Sequence, residues 1–269
     1  MVCENSKKIK LYTLVTLVVA LIVAVVRTVM LTKIVEPDTG LYIVGARWGQ
    51  AFDVCVAVLL AIMIVCGKLL FKKLESAKEP DSVSTFTVFG SALCALMFFS
   101  VFIYGIYNIM FAKMPMSTFL KLQIILCLPC GFNQLVMCVK EKREKTKGQA
   151  LLAMAVPILF AVRVIEVFMD VNSQINTSQR SLELLVLCAI MMFYLYESSF
   201  LVNKDAVLPT NYSNYYISAL CVVVLTCIAV IPYLLVSVFC AFEAEFVIMD
   251  VLKCCIMLYA LSRLLKAYN

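Results

Sequence analysis

Eight separate apolar runs, each about 20 residues long, limit this chain more than any other feature, because such a run crosses a hydrocarbon core of roughly 30 Å at about 1.5 Å per residue. They lie at 11–31, 51–71, 86–110, 117–139, 149–169, 182–202, 215–240 and 246–265. The runs are continuous and do not alternate, so they read as helices, not barrel strands; in lipid every backbone N–H and C=O must be satisfied, which a helix does within its own segment. Of the 269 residues 64% are hydrophobic and 15% charged, with a mean hydropathy of +0.99. A soluble domain, roughly 45–50% apolar and about 25% charged, cannot hide that surface. The expected fold class is an all-α polytopic membrane protein with eight transmembrane helices. Lys7, Lys8 and Lys10 before the first run resemble a signal peptide, but the run is too long and no small-residue cleavage site follows it, so it reads as a retained first helix.

Lys and Arg set the expected orientation. With the last turns of the spans included (Lys68, Arg263), 15 fall on the side of the amino terminus and 4 on the other, which places both termini in the cytoplasm of a cell-membrane protein. The basic linker 139–148 dominates that count and reads as a topology determinant; the net charge of +6 has the same origin and points to no nucleic acid. On the expected outer side, Pro37, Asp38, Thr39 and Gly40 form a turn signal. Trp48 stands where an amphipathic ring favours the interface, and Asn176-Thr177-Ser178 is a glycosylation sequon.

The linker also divides the chain into halves, 1–138 and 149–269, of four spans each, and these carry ordered matches. AVVR ending at Arg27 matches FAVR ending at Arg163, and SALC at 91–94 recurs at 218–221. Phe119 and Cys127 match Phe246 and Cys254 at an offset of 127 residues, the same as the SALC pair, whereas the arginines are 136 apart. An even number of spans per repeat implies a parallel 4+4 duplication, with a pseudo-twofold axis along the membrane normal and any site at the interface of the halves.

Ionisable residues within the spans cost about 2.5–3.5 kcal/mol each at the bilayer centre, so they pair, face an interior, or serve function. Here they are Arg27, Asp53, Lys121, Arg163, Glu166, Glu183, Glu197, Asp250 and Lys253. Given the alternating direction of the spans, all but Glu197 fall in the expected outer third. Arg163, Glu166 and Asp170 (i, i+3, i+7) share one helical face, as do Asp250 and Lys253 (i, i+3). Thr13, Thr16, Ala20, Ala24 and Arg27 form a stripe of mostly small residues suited to close helix contact. Arg27, Asp53, Arg163, Glu166, Asp250 and Lys253 are therefore the candidate ligand-binding set, lining an outward-opening vestibule. Three positive and three negative charges suit a small polar or zwitterionic solute. The competing reading has each arginine snorkelling to the headgroups or forming a structural ion pair.

Pro129, Pro157 and Pro232 mark candidate breaks, with CLPCG at 127–131 the strongest. The 13 cysteines are odd in number and mostly scattered within the spans, which argues against a disulfide framework and suits packing. Cys127 and Cys130 form a C-x-x-C that the duplication would set facing Cys254 and Cys255. Thiol–disulfide exchange there is a remote reading, because apolar surroundings disfavour the thiolate. The absence of histidine excludes histidine-ligated haem, zinc-peptidase motifs and histidine acid–base catalysis, and no P-loop, dinucleotide fingerprint or G-x-S-x-G occurs. The sequence thus points to no cofactor, metal or enzyme activity. A small secondary transporter or solute-binding membrane protein is the first functional expectation, and a noncatalytic membrane receptor or assembly factor the second.

Overall fold

A computed structural model describes residues 2–35, 47–71, 84–112, 117–139, 147–169, 178–202, 209–240 and 244–266, almost all of them in helices. The turn at 37–40, most of the linker 139–148, Asp170 and the first two sequon residues lie outside the described residues. The helices are α1 (Val2–Lys33), α2 (Arg47–Phe71), α3 (Thr85–Tyr107), α4 (Thr118–Val139), α5 (Lys147–Met169), α6 (Ser178–Val202), α7 (Pro209–Leu225), α8 (Ile231–Cys240) and α9 (Ala244–Lys266). A π-helical turn, Thr226–Val230, joins α7 to α8 in one span, and another, Asn108–Ala112, ends α3.

Seven spans among the described residues are long and apolar enough to cross a membrane: α1 to α6 and the α7–α8 unit. The eighth expected span is α9, which has comparable length but carries Asp250, Lys253 and Arg263. All three are buried, because α9 lies against α3 and α7, so protein and not lipid meets much of its polar surface.

Six spans close a ring in the order α3, α4, α5, α6, α7, α9 and back to α3, while α1 and α2 pack outside it against α7 and α8. α1 shows how sequence directs that placement. Thr13, Thr16, Ala20, Ala24 and Arg27 are all buried, as their stripe required, whereas Leu14, Val18, Leu21, Val25 and Val29 are exposed on the side left to lipid. Between apolar helices in lipid the hydrophobic effect gives no net attraction, so close approach and interhelical hydrogen bonds hold them together. Tyr12 donates to the Met63 carbonyl at 2.5 Å, tying α1 to α2, and Ser91 donates to the Gln134 carbonyl at 2.8 Å, tying α3 to α4.

Gly90 marks a close backbone approach: a Cβ there would stand 3.1 Å from Tyr259 Cα and 3.3 Å from Tyr259 N. Backbone cannot swing aside as a side-chain tip does, so Gly90→Leu should separate α3 from α9. The expected cost is about 1–3 kcal/mol, read as a lower midpoint of thermal unfolding in detergent, with Ala92, exposed two residues further on, replaced by Leu as the near-neutral control.

The packing gives the duplication no support. In the second half α5, α6, α7 and α9 are successive neighbours, whereas in the first half α1 and α2 lie against α7 and α8, and α3 and α4 lie against α9 and α5. The two SALC serines also act differently. Ser91 reaches across to Gln134, while Ser218 donates to the Tyr215 carbonyl in its own helix.

The proline expectations divide. α4 runs unbroken through Pro129 and α5 through Pro157, so CLPCG is no discontinuity. Pro232 stands two residues beyond the Thr226–Val230 π-turn, where Ile231 N–H bonds back to the Thr226 carbonyl. Proline lacks an N–H and its ring crowds the carbonyl four residues back; the wider turn gives that carbonyl room.

Candidate functional site

Neighbouring helices run antiparallel, so the carboxyl ends of α1, α3, α5 and α8 and the amino ends of α2, α4, α6 and α9 share one end of the bundle, here termed upper. Arg163 stands at the upper end of α5 and Glu166 one turn on, as i, i+3 spacing requires; Arg163 Nη1 reaches Glu166 Oε2 at 2.6 Å. Glu166 also accepts from Ser117 Oγ at 2.9 Å and from Gln123 Nε2 at 2.7 Å, which brings in the start of α4. Ser117 is at the same time the cap of α4, accepting from Leu120 N–H at 3.0 Å. A helix start leaves N–H groups without partners, and a serine oxygen supplies one.

From α6, Glu183 joins the cluster. Its Oε1 lies 3.9 Å from Arg163 Nη2 and 3.0 Å from Lys253 Nζ of α9, and Lys253 also meets Asp250 at 2.8 Å. Arg163, Glu166, Glu183, Asp250 and Lys253 thus form one continuous ion network across three helices. Lys253 is almost wholly buried and sits between two carboxylates. In an apolar interior a single ammonium could not persist unpaired, and this arrangement satisfies it twice.

Arg27 and Asp53 form a separate pair outside the ring. Arg27 is fully buried, its Nη1 3.7 Å from Asp53 Oδ1, with its guanidinium 5.6 Å from the Phe52 ring centre. Ser178 at the start of α6 donates to Asp53 at 2.6 Å, and that helix start is what links the pair to the network. Four members of the candidate set, Arg163, Glu166, Asp250 and Lys253, come together; Arg27 and Asp53 stand apart on α1 and α2. Lys121 is exposed. The pairing is alike in kind at the two sites, since an arginine near the end of one span meets a carboxylate near the start of the next in both Arg27–Asp53 and Arg163–Glu183.

A second charged cluster lies at the lower end, where the sequence reading placed no site. Glu197 of α6 and Arg263 of α9 are both buried, with Arg263 Nη2 3.1 Å from Glu197 Oε1. Tyr259 donates to the same carboxylate oxygen at 2.7 Å and accepts from Arg263 Nε at 3.2 Å. The guanidinium also lies 5.4 Å from the Tyr259 ring centre. Tyr259 stacks on Tyr194 at 6.2 Å, and Tyr194 accepts from Gln134 Nε2 at 2.8 Å, so with Ser91 the polar interior reaches from α9 across α6 and α4 to α3. Glu197 and Arg263 were both legible as ionisable, but Arg263 falls three residues before the end of α9 and counts in sequence with the cytoplasmic charges. The i, i+4 spacing of Tyr259 and Arg263 was the available signal.

Cys127 and Cys130 are buried free thiols on α4, and Cys255 of α9 lies near Cys94 of α3, the helix that stands between α4 and α9 in the ring. Among the described residues no group of three or more Cys, Asp or Glu side chains is arranged to hold a metal ion. No family model, no curated protein and no solved structure matches this chain.

Proposed function

We propose that this multi-pass helical protein is a small secondary transporter whose path runs through the ring between α6 and α9, and whose solute is small and polar or zwitterionic. The single observation that carries this reading is the double bracing of α6 and α9. These helices are separated in the ring by α7, yet long side chains join them near both ends: Lys253 to Glu183 above at 3.0 Å, Arg263 to Glu197 below at 3.1 Å. Alternating access needs two closures that open in turn around a fixed site. Ion pairs suit the task, because they form when helices approach and are replaced by water when the helices part.

The Lys and Arg asymmetry assigns the upper end to the outside. Arg163, Glu166, Asp250 and Lys253 then receive the solute, offering a cation and an anion a few ångströms apart. Arg27 and Asp53, on the outer flank, hold α1 and α2 to the start of α6. The duplication is not needed for this reading.

The test is uptake by proteoliposomes of radiolabelled amino acids and betaines. Saturable uptake that falls at least tenfold, per folded and vesicle-inserted protein, in both Arg163→Gln and Glu166→Gln is the expected result; a tenfold fall corresponds to about 1.4 kcal/mol of lost interaction. A protein that moves none of these solutes, and whose variants differ in stability alone, is instead the noncatalytic receptor or assembly factor.

A further inference from the structure

Among the residues whose side chains are described, Glu197 is the one carboxylate in the lower half of the bundle. It is 2% exposed and stands five residues, roughly 8 Å, before the end of α6. An ionised carboxylate buried among membrane helices is costly to keep, and such residues pair within the bundle interior and mark ion pathways and proton relays. A buried ion pair contributes little stability compared with apolar residues of the same shape. The pair therefore calls for a role that two leucines could not fill.

The geometry shows how the charge is managed if the pair opens. Glu197 Oε1 takes both Arg263 Nη2 and the Tyr259 hydroxyl. Arg263 has two further holds that do not involve the carboxylate: Nε on the Tyr259 oxygen at 3.2 Å and the guanidinium over the Tyr259 ring at 5.4 Å. Loss of the negative charge therefore leaves the arginine neither stranded in an apolar space nor free to leave it.

We propose that Glu197 is a proton-binding site, at which one proton from the lower aqueous phase bonds to the carboxylate, releases Arg263 to Tyr259, and opens the lower brace between α6 and α9. The step balances without an oxidant or reductant. One O–H bond forms, the Glu197–Arg263 ion pair is lost, and the site gains one positive charge, carried by the guanidinium. Resting on the transporter reading, this makes the proton the coupling ion: its binding unlocks the cytoplasmic closure, and its release restores it. The titratable groups around Glu197 are Arg263 and Tyr259 from α9, Tyr194 from its own helix, and Cys94 from α3, with Tyr215 of α7 facing Arg263.

Infrared difference spectroscopy of the full-length protein in detergent tests the site with the proton itself as probe. On acidification the wild type should develop a carboxylic-acid carbonyl band that Glu197→Gln lacks. Tyr259→Phe removes a hydrogen bond to that carboxyl, so the carbonyl band should persist at a higher frequency; this variant keeps the test decisive should Glu197→Gln fail to fold. Spectra of wild type and Glu197→Gln that are identical across the range, or a band frequency unmoved in Tyr259→Phe, would overturn the proposal.

Transport is read separately. In proteoliposomes with an inward proton gradient, Glu197→Gln should retain solute exchange but accumulate at least tenfold less than wild type, and equal accumulation would overturn the coupling role. If the Glu197 band appears while no vesicle accumulates solute, the proton site stands and the transporter reading falls.

Discussion

Arg263→Met should destabilise the protein by about 3–5 kcal/mol, the usual consequence of leaving one member of a buried ion pair without its partner. The cost is that of Glu197, not of the lost attraction. Its carboxylate would keep the Tyr259 hydroxyl at 2.7 Å but lose the guanidinium at 3.1 Å, in a site almost closed to solvent. Arg263→Met combined with Glu197→Leu should recover most of the loss, because the second change removes the stranded charge. The measurement is a double-mutant cycle of unfolding midpoints in detergent. A single variant as stable as the wild type would show that Glu197 does not need Arg263 to remain buried.

Lys253→Met should have a comparable effect through two carboxylates at once. Lys253 Nζ lies 3.0 Å from Glu183 and 2.8 Å from Asp250, and without it two negative charges would face each other across the α6–α9 gap. Arg163, 3.9 Å from Glu183, compensates that carboxylate in part. Loss of about 3–5 kcal/mol is expected, together with a new acid dependence. Protonating Asp250 removes the repulsion, so the variant should be more stable at mildly acidic than at neutral pH. Lys253→Met with Asp250→Asn should be close to wild type at neutral pH, and thermal unfolding across that pH range reads both effects.

The helix positions and the lipid-facing surfaces were legible in the sequence because lipid imposes length and apolarity locally, one segment at a time. The same locality explains why the α1 stripe of Thr13, Thr16, Ala20, Ala24 and Arg27 could be read correctly: 3.6 residues per turn fixes one face without reference to any partner. Arg163 with Glu166 and Asp250 with Lys253 were legible for that reason too. α9 escapes the same rule, since its charges meet protein on α6 and α7, and a count of apolar spans by composition stops at seven.

Neighbour order was not legible. Apolar helix faces resemble one another, so nothing local told that α1 and α2 lie outside a ring or that α3 lies against α9, where Gly90 admits the Tyr259 backbone. Matching SALC segments suggested equivalent helices, yet the two serines bond to different partners. Pro129 sat unbroken in α4 while a π-turn formed before Pro232, so the presence of a proline alone did not tell which helix would change its hydrogen bonding.

The sequence by itself determined that this protein is built from membrane-crossing helices, and it placed a band of charges near one end of them, since both follow from the free energy of exposing a side chain or a peptide group to hydrocarbon. Only the tertiary structure decided which charges meet. It separated Arg27 and Asp53 from the ring, joined Arg163, Glu166, Glu183, Asp250 and Lys253 into one network, and drew Arg263 from an apparent tail into a buried pair with Glu197. Long-range pairing depends on which faces approach across the bundle, and no single helix carries that information.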